Sequence, residues 1–430
     1  MSTPDNIREL LNKRAEETSK DMIAWRHHLH RHPELSNREI KTSAFIANRL
    51  REMGLDEVKT GIAGHGVLGV LRGGLAGSGV ALLRADIDAL PVVDESGVDF
   101  ASTVVDQDYP GGPFPVSHAC GHDCHTAMLL GAMRILAEQR GSLPGTVLAV
   151  FQPAEEGAPY PEAGGAKAFI DTGVLDEFSP TAAFGMHVQP YPKGMVSLMS
   201  GVQFGASSMI RIVITGEQVH GSTPWMGTDP MPAVGAILTS IGQVYRSTDA
   251  FSPKTVSIGH IEDVGRFNVI GQSVTLWGTI RTLSDQVMEE VQGKVRDLVH
   301  GIAQAFGCSA EVEYAQPVPA VSNTEEWVTK LRPSLAEVVG EDNIFVPDPT
   351  LGYDDVSEFI VRFGGLYVGL GVQDTEFGDG QVQAVEGGRG VVPNHHPAFY
   401  ADDKTLITGV KLHAHVAYNH LLSQRRPAEH

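Results

Sequence analysis

The sequence predicts an α/β protein, a mainly parallel sheet flanked by helices, with a smaller α+β domain inserted into it. Three observations lead to this fold. Apolar runs of strand length alternate with stretches of helical spacing through the first part of the chain. Several of those strand runs end in Asp, Glu or His. After about residue 200 the pattern changes to the order β-α-β-β-α-β, the ferredoxin-like signature, and GGLYVGLG (364–371) then resumes the earlier apolar strand style.

Residues 7–53 have helical spacing, broken at Pro33 within WRHHLHRHPELS, because proline lacks the amide that would continue a helix. His28 and His32 are four apart and share a helix face, which reads as a polar helix end. VALLRADIDALP (80–91) is a strand run ending in Asp86 and Asp88. TAMLLGAMRILAEQ (126–139) repeats its apolar residues at helical spacing: Met128, Leu129, Ala132, Met133 and Leu136. GTVLAVFQPAEEG (145–157) ends in Glu155 and Glu156, and TAAFGMHVQP (181–190) leads to His187. In open α/β sheets ligands collect beyond the carboxyl ends of the strands. Three strand runs ending in such side chains are better explained by one shared site than by chance.

The second pattern comprises SSMIRIVITG, MPAVGAILTSIGQVYRS, KTVSIGHIEDVG, QSVTLWGTIRTLS, DQVMEEVQGKVRDLVHGIAQAFG and SAEVEYAQ. The expected division is residues 1–200 with 316–430 for the first domain and 201–315 for the insertion. FGDGQVQAVEGGRGVVPNHH (377–396) reads as a glycine-rich loop. A chain of 430 residues exceeds one ordinary core, which agrees with two domains.

Composition narrows the function. The net charge is −20, from 32 basic and 52 acidic residues, which argues against nucleic acid and anionic membranes as partners. No stretch approaches the length of a membrane-spanning helix, and the polar start MSTPDNIRELLNKRAEETSKD has no apolar signal core. Three cysteines form no disulfide framework. The expectation is a soluble, cytoplasmic protein with reduced thiols.

HACGHDCHTAML (118–129) concentrates the chemistry. It is too compact for a zinc finger, and Cys120 and Cys124 have three residues between them where a redox pair prefers two. A polar helix start and a redox pair stay open as alternatives. The favoured reading is a metal site completed from elsewhere, with Cys120 and His122 on the loop feeding a helix that starts near Thr126. The positive end of that helix favours a thiolate. Adjacent side chains on an extended segment point in opposite directions, so one of Glu155 and Glu156 can bind a metal while its neighbour faces a water. That division suits hydrolysis, in which a metal acidifies water and a carboxylate takes its proton. The alternative for a Glu-Glu pair is an acidic surface loop, and a structural histidine is the alternative for His187. NHHPAF adds His395 and His396. Thiolate, imidazole and carboxylate together suit zinc, manganese, cobalt or nickel.

In order along the chain, WRHHLHRHPELS, LLRADIDALP, HACGHDCHTAMLLGA, FQPAEEG, GMHVQP, VHGSTPWMGTDP, RFNVIGQSVTLWGTIRTL, GYDDVSEF and NHHPAF make the sequence similar to the bacterial N-acyl-amino-acid amidohydrolases. That group includes hippurate hydrolases and plant auxin-conjugate hydrolases, within the wider aminoacylase and carboxypeptidase-G-like metallopeptidases. The resemblance implies a catalytic domain holding two divalent ions (manganese, zinc, cobalt or nickel) and an inserted ferredoxin-like domain through which the protein forms a homodimer. It implies metal ligands at Cys120, His122, Glu156, His187 and His395, and a general base at Glu155. For the last ligand the family usually has His, a small residue and Pro; here His395 takes the ligand place and His396 the small one. His220 corresponds to a histidine that polarises the scissile carbonyl, and Asn268 and Arg281 to positions that hold a substrate carboxylate. Asp88 would orient a ligand or the base.

The sequence departs from the pattern at Cys124, where glycine is common, at Trp225, where many relatives have histidine, and at Tyr353 before the acidic pair Asp354-Asp355. The implied activity is metal-dependent hydrolysis of an N-acyl amino acid or a related small amide. A dipeptidase or carboxypeptidase of the same fold is the alternative. A non-catalytic metal-binding scaffold would be expected to have lost Glu155 or several ligands, and all are present.

Overall fold

A computed structural model describes residues 4–425. The described chain forms two compact units. The first takes in the chain up to Gly201, Asn323–Pro347 and the residues from Glu358 onward; the second takes in Val202–Ser322 and Asp348–Ser357.

The first unit is built on β1 (Glu57–Ile62), β2 (Gly66–Arg72), β3 (Leu75–Asp86), β4 (Pro144–Gln152), β5 (Ala182–Pro192), β6 (Val196–Ser197), β7 (Ile344–Phe345) and β8 (Gly365–Gln373). They form one eight-stranded sheet in the order β1-β2-β4-β3-β5-β8-β6-β7. The central strands β4, β3, β5 and β8 run parallel, while β1 and β2 add an antiparallel edge. Alternation across the pleat explains why these segments are apolar throughout. Leu82, Leu148 and Val150 face Phe169 and Phe359 on one side. Leu83, Val147, Ala149 and Phe151 face the other, against α1 (Pro4–Arg31), α2 (Ile40–Glu52), α3 (His122–Glu138) and α4 (Leu406–Ser423). Each fully buried leucine contributes about 1.5–3 kcal/mol relative to an exposed one.

Local chemistry sets the element ends. Helix α1 stops just before His32 and Pro33. The Glu34 carboxylate then accepts the Lys41 and Thr42 amides at 3.1 and 2.8 Å, satisfying donors in the first turn of α2. Strand β5 runs on to Pro192, past the end expected near residue 190, because β8 pairs with it as far as Gln373 opposite Pro192. Its other neighbour, β3, pairs only from Ala81 opposite Ala182 to Arg84 opposite Gly185. Beyond Gly185 the sheet therefore opens next to β5.

Helix α3 starts at His122, not near Thr126. Apolar periodicity cannot register this first turn, because three of its four buried residues are His122, Asp123 and His125. They are accommodated by hydrogen bonds to buried partners rather than by apolar packing.

The second unit holds a four-stranded antiparallel sheet in the order Lys254–Asp263, Ser273–Thr282, Ala206–Thr215, Ser309–Val318. With helices Met231–Ser240 and Asp285–Ala305 this is the ferredoxin-like strand order. Met288, Val291, Val295 and Val299 recur at helical spacing and pack on Ile210, Ile212, Leu276 and Ile280 of the sheet. No helix of the described residues is long and apolar enough to cross a membrane.

Candidate metal centre

Four segments of the first unit converge where the sheet opens, and three of them use unusual backbone to do so. Ala154, after β4, has a φ of 54° and turns Glu155 and Glu156 out of the strand direction. Gly121 lies between Cys120 and His122 with a φ of 93°, which L side chains rarely adopt. A Cβ there would meet Val188 Cγ2 at 2.3 Å, so glycine also makes room for β5. His395 has a φ of 69° and is tied down by its amide, which donates to Ala119 O at 2.8 Å. Left-handed backbone at residues other than glycine costs energy and gathers at functional sites. The fourth segment is β5 itself, which supplies His187.

The side chains brought together are Cys120, His122, Glu155, Glu156, His187 and His395. Cys120 Sγ lies 3.3 Å from His187 Nε2. His122 Nε2 lies 3.7 Å from Glu156 Oε1 and 3.8 Å from Glu155 Oε2. His395 Nε2 approaches Glu156 Oε1 to 3.1 Å. Ligand atoms of Cys120, His122 and His187 all lie within 4.8 Å of one another, as do those of Cys120, Glu156 and His395. Cys120 is common to the two triads. Cys120, His122, Glu155 and His187 are buried, whereas His395 is exposed.

Both buried imidazoles present the same nitrogen to this cluster. His122 Nδ1 lies 2.9 Å from Asp88 O and 3.2 Å from Asp88 Oδ1. His187 Nδ1 donates to Val188 O at 2.7 Å. Each ring is thus fixed at Nδ1 with Nε2 turned inward, the arrangement a metal-binding histidine needs. His122 Nε2 is buried without a hydrogen-bond partner. Such an orphaned atom is costly unless something fills its place. The donor set of thiol, imidazole and carboxylate fits a divalent transition metal.

The electrostatics point the same way. Burial would lower the pKa of His122, but Asp86 and Asp88 push it up to about 10. Burial, reinforced by Glu156, Glu155 and Asp86, pushes the Cys120 thiol well up. Here burial and the surrounding carboxylates oppose the positive helix end, which favours a thiolate. The His122 shift marks carboxylates that favour positive charge beside this ring, and a divalent cation would displace the His122 and Cys120 protons on binding.

Supporting groups surround the cluster. Asp88 Oδ2 accepts the Ser36 hydroxyl at 2.7 Å and the Glu156 amide at 3.0 Å. Asn394 donates to Cys120 O at 3.0 Å and to Val188 O at 3.2 Å, tying the cysteine turn to β5. His125 and Asp86 pair at 2.6 Å. On α1, Arg26 and His30 both bond Asp123, at 3.0 and 2.8 Å, and His30 continues to Asp94 at 3.1 Å. Asn394 does not stand out by residue type, and His125 is one of three histidines in its stretch. The available signal was position: Asn394 precedes His395, and His125 lies three residues beyond His122 on one helix.

The remaining sequence candidates belong to neither of those two triads. Cys124 is buried beside Arg26 and Asp123 and belongs to none of the potential metal groups among the described residues. His396 accepts the Ala398 amide at 3.1 Å in a turn. His220, Asn268 and Arg281 belong to the second unit. There the Gly221 amide donates to Asn268 O at 3.0 Å, His220 Nδ1 accepts from Ser222 N at 3.1 Å, and His220 is exposed. The Arg281 guanidinium stacks 4.2 Å from the centre of the Tyr353 ring. Trp225 is 76% exposed, so packing does not fix its place in that unit. The Val356 amide donates to buried Asp354 at 2.9 Å.

A mainly parallel α/β sheet, with a negative pocket of thiol, imidazole and carboxylate at its open end, defines a metal-dependent hydrolase. The sequence profile described as Peptidase family M20/M25/M40 matches residues 82–419, and the chain belongs to that family. It is 32% identical over 413 residues to thermostable carboxypeptidase 2 of Saccharolobus solfataricus, spanning 95% of this chain and 98% of the relative. It is 30% identical over 398 residues to the N-acetylcysteine deacetylase of Bacillus subtilis strain 168, spanning 92% and 96%. Among solved structures it is similar to the Bacillus subtilis YXEP protein, described as a dinuclear metal-binding peptidase of the M20 family. The TM-score is 0.71 at 28% identity, over 95% of this chain and 99% of that one.

Proposed function

We propose that this enzyme hydrolyses the amide bond of N-acyl amino acids or related small amides, using two divalent ions held by Cys120, His122, Glu156, His187 and His395. The observation that carries this reading is the pair of ligand triads sharing Cys120. One ion would take Cys120, His122 and His187; the other would take Cys120, Glu156 and His395. When bound, the ions supply Lewis acidity, acidifying a water and polarising the amide carbonyl. Manganese, zinc, cobalt and nickel all suit these donors.

Glu155 acts as the general base. It takes the proton of the attacking water and delivers it to the leaving nitrogen. Its neighbour's amide is fixed to Asp88, which holds the Glu155-Glu156 turn in register with His122. His220 stabilises charge developing on the carbonyl oxygen. Asn268 and Arg281 hold the substrate carboxylate, a task for which the guanidinium fork is suited. The second unit mediates a homodimer in which His220 serves the partner's site. The thiols suit the reducing cytoplasm.

The carboxypeptidase relative supports a second reading, cleavage of a C-terminal residue from a peptide by the same machinery. One assay separates the two. Protein stripped by a chelator and reloaded with each metal is given a panel of N-acyl amino acids and peptides, and released amine is measured. Release from N-acyl amino acids, dependent on metal and reduced by about 10²–10⁴-fold in Glu155→Gln, supports the proposal. Release from peptides alone selects the second reading. No metal-dependent release from any member overturns both.

A further inference from the structure

We infer that His125 is a positioning residue of the metal centre, holding His187 in place through the backbone of Val188. This rests on His187 being a ligand, as proposed above. The cause lies in the sheet. Pairing of β3 with β5 ends at Arg84 opposite Gly185. Past that point the Val188 amide donates to His125 Nε2 at 2.9 Å. An imidazole on α3 thus takes up the bond of an amide in the part of β5 that β3 no longer pairs.

The same ring is anchored at its other nitrogen. His125 Nδ1 lies 2.6 Å from Asp86 Oδ1. Because Nε2 accepts from an amide, the ring proton sits on Nδ1 and is donated to Asp86. Asp86 is itself held by Arg84 through its other oxygen, and its carbonyl accepts Thr126 Oγ1 at 3.1 Å. Arg84, Asp86 and His125 are all 1% exposed or less. The relay therefore runs from a buried ion pair, through an imidazole of defined tautomer, to Val188.

Val188 carries the effect to the ligand. Its carbonyl accepts His187 Nδ1 at 2.7 Å, the bond that turns His187 Nε2 toward Cys120. Val188 is thus gripped at its amide by His125, while its carbonyl orients His187. Asp86, His122 and His125 have ligand atoms close enough to form a metal-binding group of their own. The bonds at both nitrogens of His125 assign it instead to support of the site already formed.

The test is calorimetric titration of manganese into chelator-stripped protein, together with hydrogen exchange of the peptide containing Val188 in the same stripped protein. His125→Phe fills the space without either polar atom. It should bind manganese about 10–100-fold more weakly, and exchange at Val188 should rise. His125→Gln can present an oxygen to the Val188 amide or an NH₂ to Asp86, and should recover part of both. If His125→Phe does not fold, Asp86→Asn removes the charged acceptor and should weaken manganese in the same direction. Wild type and folded variant binding manganese with equal affinity overturns the inference. A wild type that binds no manganese, zinc, cobalt or nickel overturns the proposed metal centre itself, a different result.

Discussion

Asp88 and His122 are joined by a contact of 3.2 Å between Oδ1 and Nδ1, while the other oxygen of Asp88 accepts the Glu156 amide at 3.0 Å. One carboxylate therefore sets the orientation of a histidine on α3 and the position of the acidic turn after β4. These two segments are far apart in sequence, and Asp88, two residues beyond the end of β3, bonds to both. Asp88→Asn keeps the shape but puts an NH₂ where one of the oxygens accepts. The expected result is a loss of affinity for manganese or zinc of about 10–100-fold, read by calorimetry, with the fold intact by circular dichroism. Unchanged affinity would show that Asp88 does not support the metal ligands.

Gly121 tests the backbone side of the site. Its φ is 93°, and a Cβ would lie only 2.3 Å from Val188 Cγ2, which leaves no room for alanine. Gly121→Ala should lower unfolding free energy by roughly 2–4 kcal/mol, from the strained φ and overpacking together. Urea denaturation measures this. Metal affinity should fall as well, because the residue lies between Cys120 and His122. A variant as stable as wild type would contradict the tight approach of β5.

The α1 network predicts a pH dependence. Burial would lower the pKa of His30, but Asp123 and Asp94 raise it to about 9. The unfolded value is near 6.5. A raised folded pKa means that the native state binds the proton more tightly than the unfolded chain. This stabilisation is fully present below about pH 6.5 and is lost as pH rises through about 9. Chemical denaturation of wild type and His30→Gln should therefore differ most below about pH 6.5 and converge toward about pH 9, with a pH-dependent part of roughly 3 kcal/mol. A difference independent of pH would show that His30 acts by packing alone.

Much of this molecule is legible in its sequence, for a physical reason. Leu82, Leu83, Val147 and Leu148 are apolar because both faces of the sheet are covered, and that produces the strand runs seen in the text. Cys120, His122, Glu155, Glu156, His187 and His395 stand out by residue type at strand ends and loops, and the fold brings them into one cluster. The features that cannot be read are those that depend on partners distant in sequence. The start of α3 at His122 is hidden because its first turn is polar and satisfied by Asp86, Asp88 and Arg26. The positions of Asn394 and His125 rest on bonds to the Cys120 and Val188 backbones, which no spacing rule contains. The direction of the Cys120 pKa shift is hidden too, because a helix end is visible in sequence, whereas burial beside Glu156, Glu155 and Asp86 is not.

In the proposed metal centre Cys120 would be shared by two ions. Anomalous diffraction from crystals of the manganese-loaded protein tests it most directly. Two peaks are expected, both beside Cys120 Sγ, one next to His122 and His187 and the other next to Glu156 and His395. A single peak, or peaks away from these side chains, would contradict that sharing.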